Sequence, residues 1–243
     1  MSGPRYLGLI PARGGSKGIP KKNLVDLGGR PLLEWTLAAS RASVRLDRAL
    51  LTSDDESMRA LAVQHGVEAP FTRPAALSGD GASTLDVVLH ALDWLAAHEG
   101  WTPTAVVLLQ PTSPFRDGAD IDAAVAAFEA SGASSLLSVS PVLQHPCDMV
   151  MRGAHGDLVR VAEPTGHARQ SFPDCWFIDG AIYITTVEML RERRLFHDAQ
   201  SATYHLPAER AADIDTPFQL QLARALVACS DAPARRPQEI QPA

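Results

Sequence analysis

A glycine-rich, positively charged segment lies near the N-terminus, at residues 10–23. From Arg13 to Lys22 the sequence has four basic residues and no acidic one, although the whole chain carries a net charge of −6. Glycines let backbone N–H groups approach phosphate oxygens closely, and Arg13, Lys17 and Lys22 could neutralise a triphosphate. Ser16 and Asn23 could add hydrogen bonds. The segment therefore predicts a site for a small polyanion, although a solvated basic turn would carry the same charges.

The spacing of the glycines excludes two common phosphate-binding motifs. The segment contains Gly14, Gly15 and Gly18, which do not give the G-x-x-x-x-G-K-[ST] spacing of a P-loop. They also lack the alternation of G-x-G-x-x-G, so a dehydrogenase is a poor interpretation of this loop.

Two aspartates near the C-terminus, Asp213 and Asp215, have the spacing of a metal site. In an extended segment, side chains two residues apart point the same way, so both carboxylates could face one Mg²⁺. A second interpretation is that Asp215 or Thr216 caps the helix that begins at Pro217. Both interpretations can hold at once.

Four segments in this order resemble the motifs of the acylneuraminate cytidylyltransferases, which include the CMP-sialic acid synthetases and their bacterial relatives. The resemblance covers about Tyr6 to Cys229. The matching segments are Ile10–Asn23, Leu109–Arg116, Asp179–Ile184 and Asp213–Thr216. The wider sugar nucleotidyltransferase superfamily has a similar first loop, but Ser16-Lys17-Gly18 followed by Lys22-Asn23 resembles the cytidylyl branch.

The resemblance implies an enzyme that joins CMP from CTP to an acidic nine-carbon sugar of the sialic acid type and releases pyrophosphate. It assigns the loop's cations as catalytic and places Asp213 and Asp215 on Mg²⁺, with Mn²⁺ as the alternative ion. Residues that would bind the nucleotide are Arg13, Ser16, Lys17, Lys22, Asn23, Arg73, Ala82 and Thr84. Without the resemblance, Arg73 would be read as a surface arginine and Thr84 as a helix-entry residue.

The same resemblance implies an acceptor site, in which Arg169 would meet the sugar carboxylate. The residues assigned to this site are Gln110, Arg169, Gln170, Tyr183 and Phe196. From the residues alone, Gln110 could bond to backbone at a strand end, Tyr183 and Phe196 could be core residues, and Arg169 could lie on the surface. Asp179 departs from the family, whose members usually have asparagine there, so the identity of the sugar stays open.

Three other functions share parts of this pattern. A cytidylyltransferase for 3-deoxy-octulosonate, another nonulosonic acid or a phosphonate would keep the same CTP site. A pyrophosphorylase for sugar 1-phosphates would not need Arg169. A non-catalytic nucleotide-binding module would have little need of Asp213 and Asp215 together.

The elements that must position these residues alternate regularly through the first two-thirds of the chain. We predict an α/β fold of three layers, Rossmann-like, with a mainly parallel sheet that binds ligands at the carboxyl ends of its strands. Leucine and valine spacing at residues 85–92 indicates one further helix. The predicted strands are 6–10, 49–52, 104–109, 135–139 and 181–184. The other predicted helices are 32–42, 56–65, 117–130 and 217–229.

The alternation stops between Pro141 and Phe177, where four prolines interrupt a stretch of little periodicity. We predict an arm inserted in a nucleotidyltransferase domain that spans 1–229, followed by a disordered tail at 230–243. Relatives dimerise through such an arm, so the resemblance implies a homodimer.

Composition places the chain among globular proteins, with 46% apolar and 21% charged residues. It lacks an apolar run of the roughly 20 residues that span a bilayer, and its N-terminus is unlike a signal peptide. The acidic balance speaks against nucleic-acid and anionic-membrane partners. Cys147, Cys175 and Cys229 fit neither a disulfide framework nor a zinc site. We therefore predict a cytoplasmic protein.

Overall fold

A computed structural model describes residues 3–164 and 172–230 of the chain. Its ten strands are β1 (Tyr6–Pro11), β2 (Asp26–Leu27), β3 (Arg30–Pro31), β4 (Arg48–Thr52), β5 (Ala105–Leu108), β6 (Ser135–Pro141), β7 (Val150–Arg152), β8 (Leu158–Arg160), β9 (Trp176–Thr186) and β10 (Ala202–His205). Its α-helices are α1 (Leu32–Ala42), α2 (Glu56–Gln64), α3 (Thr84–Glu99), α4 (Gly118–Ser131) and α5 (Pro217–Ser230). Every strand and helix predicted from the sequence is present. Most bounds differ by one or two residues, but β9 begins five residues before the predicted strand 181–184, and α3 continues to Glu99, beyond the apolar positions 85–92.

Six strands form the central sheet in the order β10-β6-β9-β5-β1-β4. β1 runs parallel to β4 and β5, and β10 runs parallel to β6. β9 is antiparallel to both of its neighbours, β5 and β6. The predicted mainly parallel sheet is confirmed, and the exception has a topological cause. β9 follows the arm without a crossover helix, and a parallel connection would need one.

Helices cover both faces of the sheet, which confirms the three-layer arrangement. Successive strand residues point to opposite faces. Val107 of β5 therefore packs in the cluster that contains side chains of α1, α2 and α4. Its neighbour Val106 packs in a second cluster with Val88 and Leu92 of α3.

A third apolar cluster joins the glycine-rich loop to the C-terminal part of the chain. Ile19 of the loop and Leu27 of β2 pack with Ile214 and with Leu220 and Val227 of α5. α5 and the β2–β3 hairpin therefore hold the glycine-rich loop beside the two aspartates of the proposed metal motif.

The segment predicted as an arm leaves the central sheet after β6 and carries the separate β7–β8 hairpin. Several apolar side chains of this hairpin are exposed, among them Val150, Met151 and Leu158. Residues 165–171 lie outside the described residues, and Arg169 and Gln170 are among them. Residues 231–243, most of the predicted tail, also lie outside, and α5 extends one residue further than predicted.

Several elements were not predicted, among them the two-residue strands β2 and β3. β10 is an edge strand of four residues, Ala202–His205, in a largely polar stretch that lacks the apolar run of a buried strand. A single-turn π-helix, Met189–Arg193, follows β9 and buries Met189 and Leu190. In the two described ranges, no helix is long and apolar enough to cross a membrane.

Candidate active site

A cleft of about 310 Å³ opens at the carboxyl ends of β1 and β5, where the fold is expected to bind ligands. Its walls come from three parts of the chain: the loop after β1, the segment between β4 and α3, and the end of β5. Seven of the residues predicted to bind nucleotide or acceptor line it, namely Arg13, Lys22, Asn23, Arg73, Ala82, Thr84 and Gln110. Ser16 and Lys17 belong to the same loop but do not line the cleft.

Hydrogen bonds to side chains hold the glycine-rich loop at the end of β1. The buried side chain of Asn23 donates from Nδ2 to the carbonyl oxygen of Arg13 at 3.1 Å. The backbone N–H of Gly14 donates to Oδ1 of Asp54 at 3.0 Å, so a carboxylate accepts one of the loop's backbone N–H groups. Asn23 therefore shapes the loop in addition to any role toward a ligand.

Each predicted cation of the loop forms an ion pair with an aspartate from another part of the chain. Arg13 and Lys17 both contact Asp80, with N–O distances of 2.9 Å each. Lys22 contacts Asp215 at 2.7 Å. Carboxylates from two other parts of the chain thus partly balance the positive charges of the loop.

Arg73 is a buried residue, so the interpretation of a surface arginine is wrong. Its side chain is 4% exposed, and its guanidinium donates to the carbonyl oxygen of Ala12 and to Oγ of Ser78, both at 3.2 Å. Burial lowers the pKa of Arg73, and the charge of Asp54, 3.5 Å away, acts in the opposite direction. Arg73 thus ties the end of β1 to the wall formed by the segment after β4.

Thr84 is the first residue of α3, which confirms the prediction that it lies at the start of a helix. The capping bond itself comes from its neighbour, because Oγ of Ser83 accepts the N–H of Leu85 at 3.2 Å. The hydroxyl of Thr84 therefore does not carry the cap.

The loop after β5 surrounds the buried side chain of Arg116. The sequence placed this arginine at the end of the motif Leu109–Arg116 but predicted no role for it. Its guanidinium donates to the carbonyl oxygens of Gln110 and Ser113 and to Oγ1 of Thr36, the last at 2.9 Å. Burial lowers the pKa of Arg116 to about 9, and the charges of Asp120 and Asp179 act in the opposite direction. Arg116 thereby positions Gln110 at the edge of the cleft.

Asp213 and Asp215 flank the fully buried Ile214, so their side chains share the side opposite to the core. Burial raises the pKa of Asp213 and so does the nearby Asp215, whereas Thr112 and Lys22 lower it. A divalent cation bound between two partly buried carboxylates would offset their mutual repulsion, so this arrangement is typical of a metal site. Among residues 3–164 and 172–230 no group of three or more His, Cys, Asp or Glu could hold a metal, so this pair would need oxygen ligands from substrate and water.

The cap of α5 is made by Thr216, and the alternative interpretation is wrong for the side chain of Asp215. Oγ1 of Thr216 accepts the N–H of Gln219 at 3.3 Å. Oε1 of Gln219 in turn accepts the N–H groups of Asp215 and Thr216 at 2.9 and 2.8 Å. Because Thr216 and Gln219 form this capping box, the carboxylate of Asp215 is available to contact Lys22 and a ligand.

Tyr183 and Phe196 contact each other, with ring centroids 6.3 Å apart, and both are half-buried against the α3 side of the sheet. The core interpretation therefore holds for part of each ring. Burial raises the pKa of Tyr183, as do the charges of Asp179 and Asp213, so this tyrosine lies near one member of the aspartate pair.

Asp179 lies beneath this region with only 1% of its surface exposed. One carboxylate oxygen accepts hydrogen bonds from Oγ of Ser138 and from the N–H of Ala181, and the other has no partner. Burial raises the pKa of Asp179. Gly180, at φ +73°, follows it where the β6–β9 register shifts, and such bulges redirect side chains.

Comparisons with known proteins all match this chain to cytidylyltransferases and CMP-sugar synthases. Residues 7–162 match the family model described as Cytidylyltransferase. The chain is 31% identical over 235 residues to a CMP-N,N'-diacetyllegionaminic acid synthase of Legionella pneumophila, covering 92% of this chain and 96% of that protein.

A second relative is the N-acylneuraminate cytidylyltransferase of Streptococcus agalactiae, 29% identical over 211 residues. This match covers 86% of the chain but 50% of the relative, so the chain spans about half of that protein. The fold is similar to a CMP:2-keto-3-deoxy-manno-octonic acid synthetase solved with CTP, with a TM-score of 0.68 at 18% identity over 92% of this chain and 98% of that one.

The packing of Gly18 yields a prediction about the junction between the two charged loops. A Cβ atom at Gly18 would collide with the backbone carbonyl oxygen of Asp215, which cannot move without its loop. We expect Gly18→Ala to lower the free energy of unfolding by about 1–3 kcal/mol, as overpacking typically does. Urea unfolding followed by circular dichroism measures this.

The matched control is Gly15→Ala, because a Cβ atom at Gly15 would meet nothing within 4 Å. This variant should unfold at nearly the wild-type urea concentration. Equal stability of Gly18→Ala and the wild type would contradict the tight contact between the two loops.

Proposed function

Because this chain belongs to the cytidylyltransferase family, we propose that it transfers CMP from CTP to an acidic nonulosonic sugar of the sialic acid type. The observation that carries the proposal is the cleft itself. Three separate parts of the chain bring Arg13, Lys22, Arg73 and Gln110 to its walls. A non-catalytic module is disfavoured, because Asp215, one of the two aspartates proposed to hold the metal, contacts Lys22 of the loop proposed to bind the triphosphate.

In the proposed reaction a hydroxyl of the sugar attacks the α-phosphorus of CTP and loses its proton. The bond from the α-phosphorus to the bridging oxygen breaks, and pyrophosphate leaves with that oxygen. Such transfers depend mainly on positioning and on stabilisation of charge. Arg13, Lys17 and Lys22 would supply positive charge along the triphosphate, and the N–H groups of the glycine-rich loop would bind its oxygens.

The two aspartates would hold Mg²⁺, or Mn²⁺ in its place. The ion would neutralise phosphate oxygens and orient them. Lys22 supports this assignment, since it already holds Asp215 beside the loop that would carry the triphosphate.

We place the cytosine base in the part of the cleft that residues 77–87 line. Leu77, Ala82 and Val87 give this part apolar walls, against which a base would pack. The Thr84 hydroxyl and the groups around buried Arg73 would supply polar contacts, as the resemblance implies. These features support CTP as the nucleotide.

The acceptor would bind between the triphosphate and Tyr183, near Asp213. Relatives that activate N,N'-diacetyllegionaminic and N-acylneuraminic acids support a nonulosonic acid. Arg169 and Gln170 are proposed to bind its carboxylate, with Gln110, Tyr183 and Phe196 around the remainder of the sugar.

We further propose that the chain acts as a homodimer in the cytoplasm. The arm supports the dimer, since its hairpin exposes apolar side chains and a second cleft of about 410 Å³ lies beside it. That cleft is lined by residues of the arm, of α5 and of the segment that precedes α5, among them Leu143, Met149, Phe177, Leu222 and also Asp213. Free thiols at Cys147, Cys175 and Cys229 are compatible with a reducing compartment.

The first test is a pyrophosphate-release assay with a panel of nucleotides and acceptors under magnesium. We expect CTP to be used at least about tenfold better than UTP, ATP or GTP, since each 1.4 kcal/mol of discrimination gives a factor of ten. The acceptor panel contains several nonulosonic acids and 3-deoxy-octulosonate. Equal rates with CTP and UTP, or release only with 3-deoxy-octulosonate, would overturn the proposal.

The second test concerns the metal site. Asp213→Asn and Asp215→Asn should each lower kcat by at least about 10²-fold while the protein stays folded, because charge stabilisation dominates this chemistry. The control is Thr216→Ala, which removes the cap of α5 but keeps both carboxylates. It should cost about 1 kcal/mol of stability and leave kcat nearly unchanged.

Steady-state kinetics and thermal unfolding of all three variants separate the two roles. If Asp215→Asn loses activity only in proportion to its loss of thermal stability, then Asp215 is a structural residue. The same comparison applies to Asp213.

The third test concerns the dimer. Light scattering at micromolar concentration should give about twice the 26.0 kDa mass of the chain. Leu158→Glu places a charge on the arm, where Leu158 is 76% exposed, and should shift the protein toward monomer. Val44→Glu is the matched control, because Val44 is 86% exposed and lies between α1 and β4, outside the arm. A fully active wild-type monomer would refute the dimer.

A further inference from the structure

One carboxylate bridges the two most N-terminal cations of the glycine-rich loop. Oδ1 of Asp80 lies 2.9 Å from Nη1 of Arg13, and Oδ2 lies 2.9 Å from Nζ of Lys17. Each oxygen thus contacts a different cation. Phosphate oxygens would make the same kind of charged hydrogen bond to these two side chains.

Asp80 stands on a short loop that connects two walls of the cleft. Its neighbours are Gly79 and Gly81, and a Cβ atom added to either would meet nothing within 4 Å. The loop leads directly to Ala82 and Thr84, which line the proposed base end, and Asp80 itself lines the cleft. The two glycines therefore face open space, and Asp80 reaches both cations from between them.

The charge of Asp80 persists at neutral pH. A hydrogen bond from Lys17, together with the charges of Lys17 and Arg13, lowers the pKa of this carboxyl. A polyphosphate that approached Arg13 and Lys17 would meet a negative charge already in place, and like charges at contact distance repel.

We propose that Asp80 is a positioning residue that competes with the polyphosphate for Arg13 and Lys17. In the free protein its carboxylate holds both side chains. CTP displaces the carboxylate when the triphosphate binds, and the carboxylate regains the two cations as pyrophosphate leaves. This inference rests on the proposed function, since it assumes that Arg13 and Lys17 bind phosphate.

The exchange predicts how affinity depends on the charge at position 80. Asp80→Asn keeps the size of the side chain and removes its charge, so the polyphosphate no longer has a competitor. We expect this variant to bind pyrophosphate and CTP about threefold to tenfold more tightly, in line with two solvent-exposed ion pairs. Slower release of pyrophosphate should lower kcat, whereas KM for the sugar should stay unchanged.

Isothermal titration with sodium pyrophosphate and with CTP, each in magnesium buffer, measures these affinities directly. Asp80→Glu keeps the charge and should restore nearly the wild-type values. The matched control is Asp93→Asn, which removes an exposed ion pair with Arg191 (2.7 Å) outside the cleft. It should bind both ligands as the wild type does.

Tighter binding by Asp80→Asn alone would support the exchange. Equal or weaker binding by Asp80→Asn would overturn it, because Asp80 would then be an ordinary surface partner or would hold the cations ready for phosphate. Failure of the wild-type chain to bind CTP would instead overturn the proposed function, and this inference with it.

Discussion

The buried guanidinium of Arg116 is the interaction on which the cleft most depends. It satisfies two carbonyl oxygens of the loop after β5 and reaches Thr36 of α1, so one side chain ties the centre of the sheet to a covering helix. A charge held so deeply is costly unless it is surrounded by acceptors. Two of the three acceptors here are carbonyl oxygens of the same loop, so the loop has little freedom to rearrange, while Nε of Arg116 has no hydrogen-bond partner. Gln110 consequently reaches the cleft from a rigid support.

The site balances its charges with its own carboxylates. Asp54 accepts the N–H of Gly14, Asp80 contacts two cations of the loop, and Asp215 contacts Lys22. An acidic chain can therefore present a concentrated positive loop without leaving it uncompensated. The binding free energy of an anionic ligand is the difference between the free energy of the ligand's contacts and that of these internal ion pairs. The internal pairs therefore also weaken the binding of a product that carries the same anionic groups as the ligand.

Much of the fold could be predicted because its signals are local. The apolar run of β5 and the apolar faces of α1 and α3 depend on residues that are neighbours in sequence. The direction of β9 and the position of β10 depend on where the chain returns after the arm, which no local pattern records. Likewise, the glycine-rich loop was predicted from its composition, whereas the burial of Arg73 and the partnership of Asp80 with that loop require the folded chain. Thr216 rather than Asp215 makes the cap because Gln219 completes the bond network, a detail of side-chain geometry.

Lys22 and Asp215, which meet in the folded protein, are 193 residues apart in the chain. Ile19 and Ile214 join the same two segments through an apolar cluster. The site therefore depends on contacts between distant parts of the chain, and its second half leaves the ribosome only after the first half and about 190 further residues have been made. Until α5 docks, the nascent chain carries a basic loop that lacks the carboxylate of Asp215. Nucleotide binding that depends on both segments would consequently report that these two segments have docked against each other.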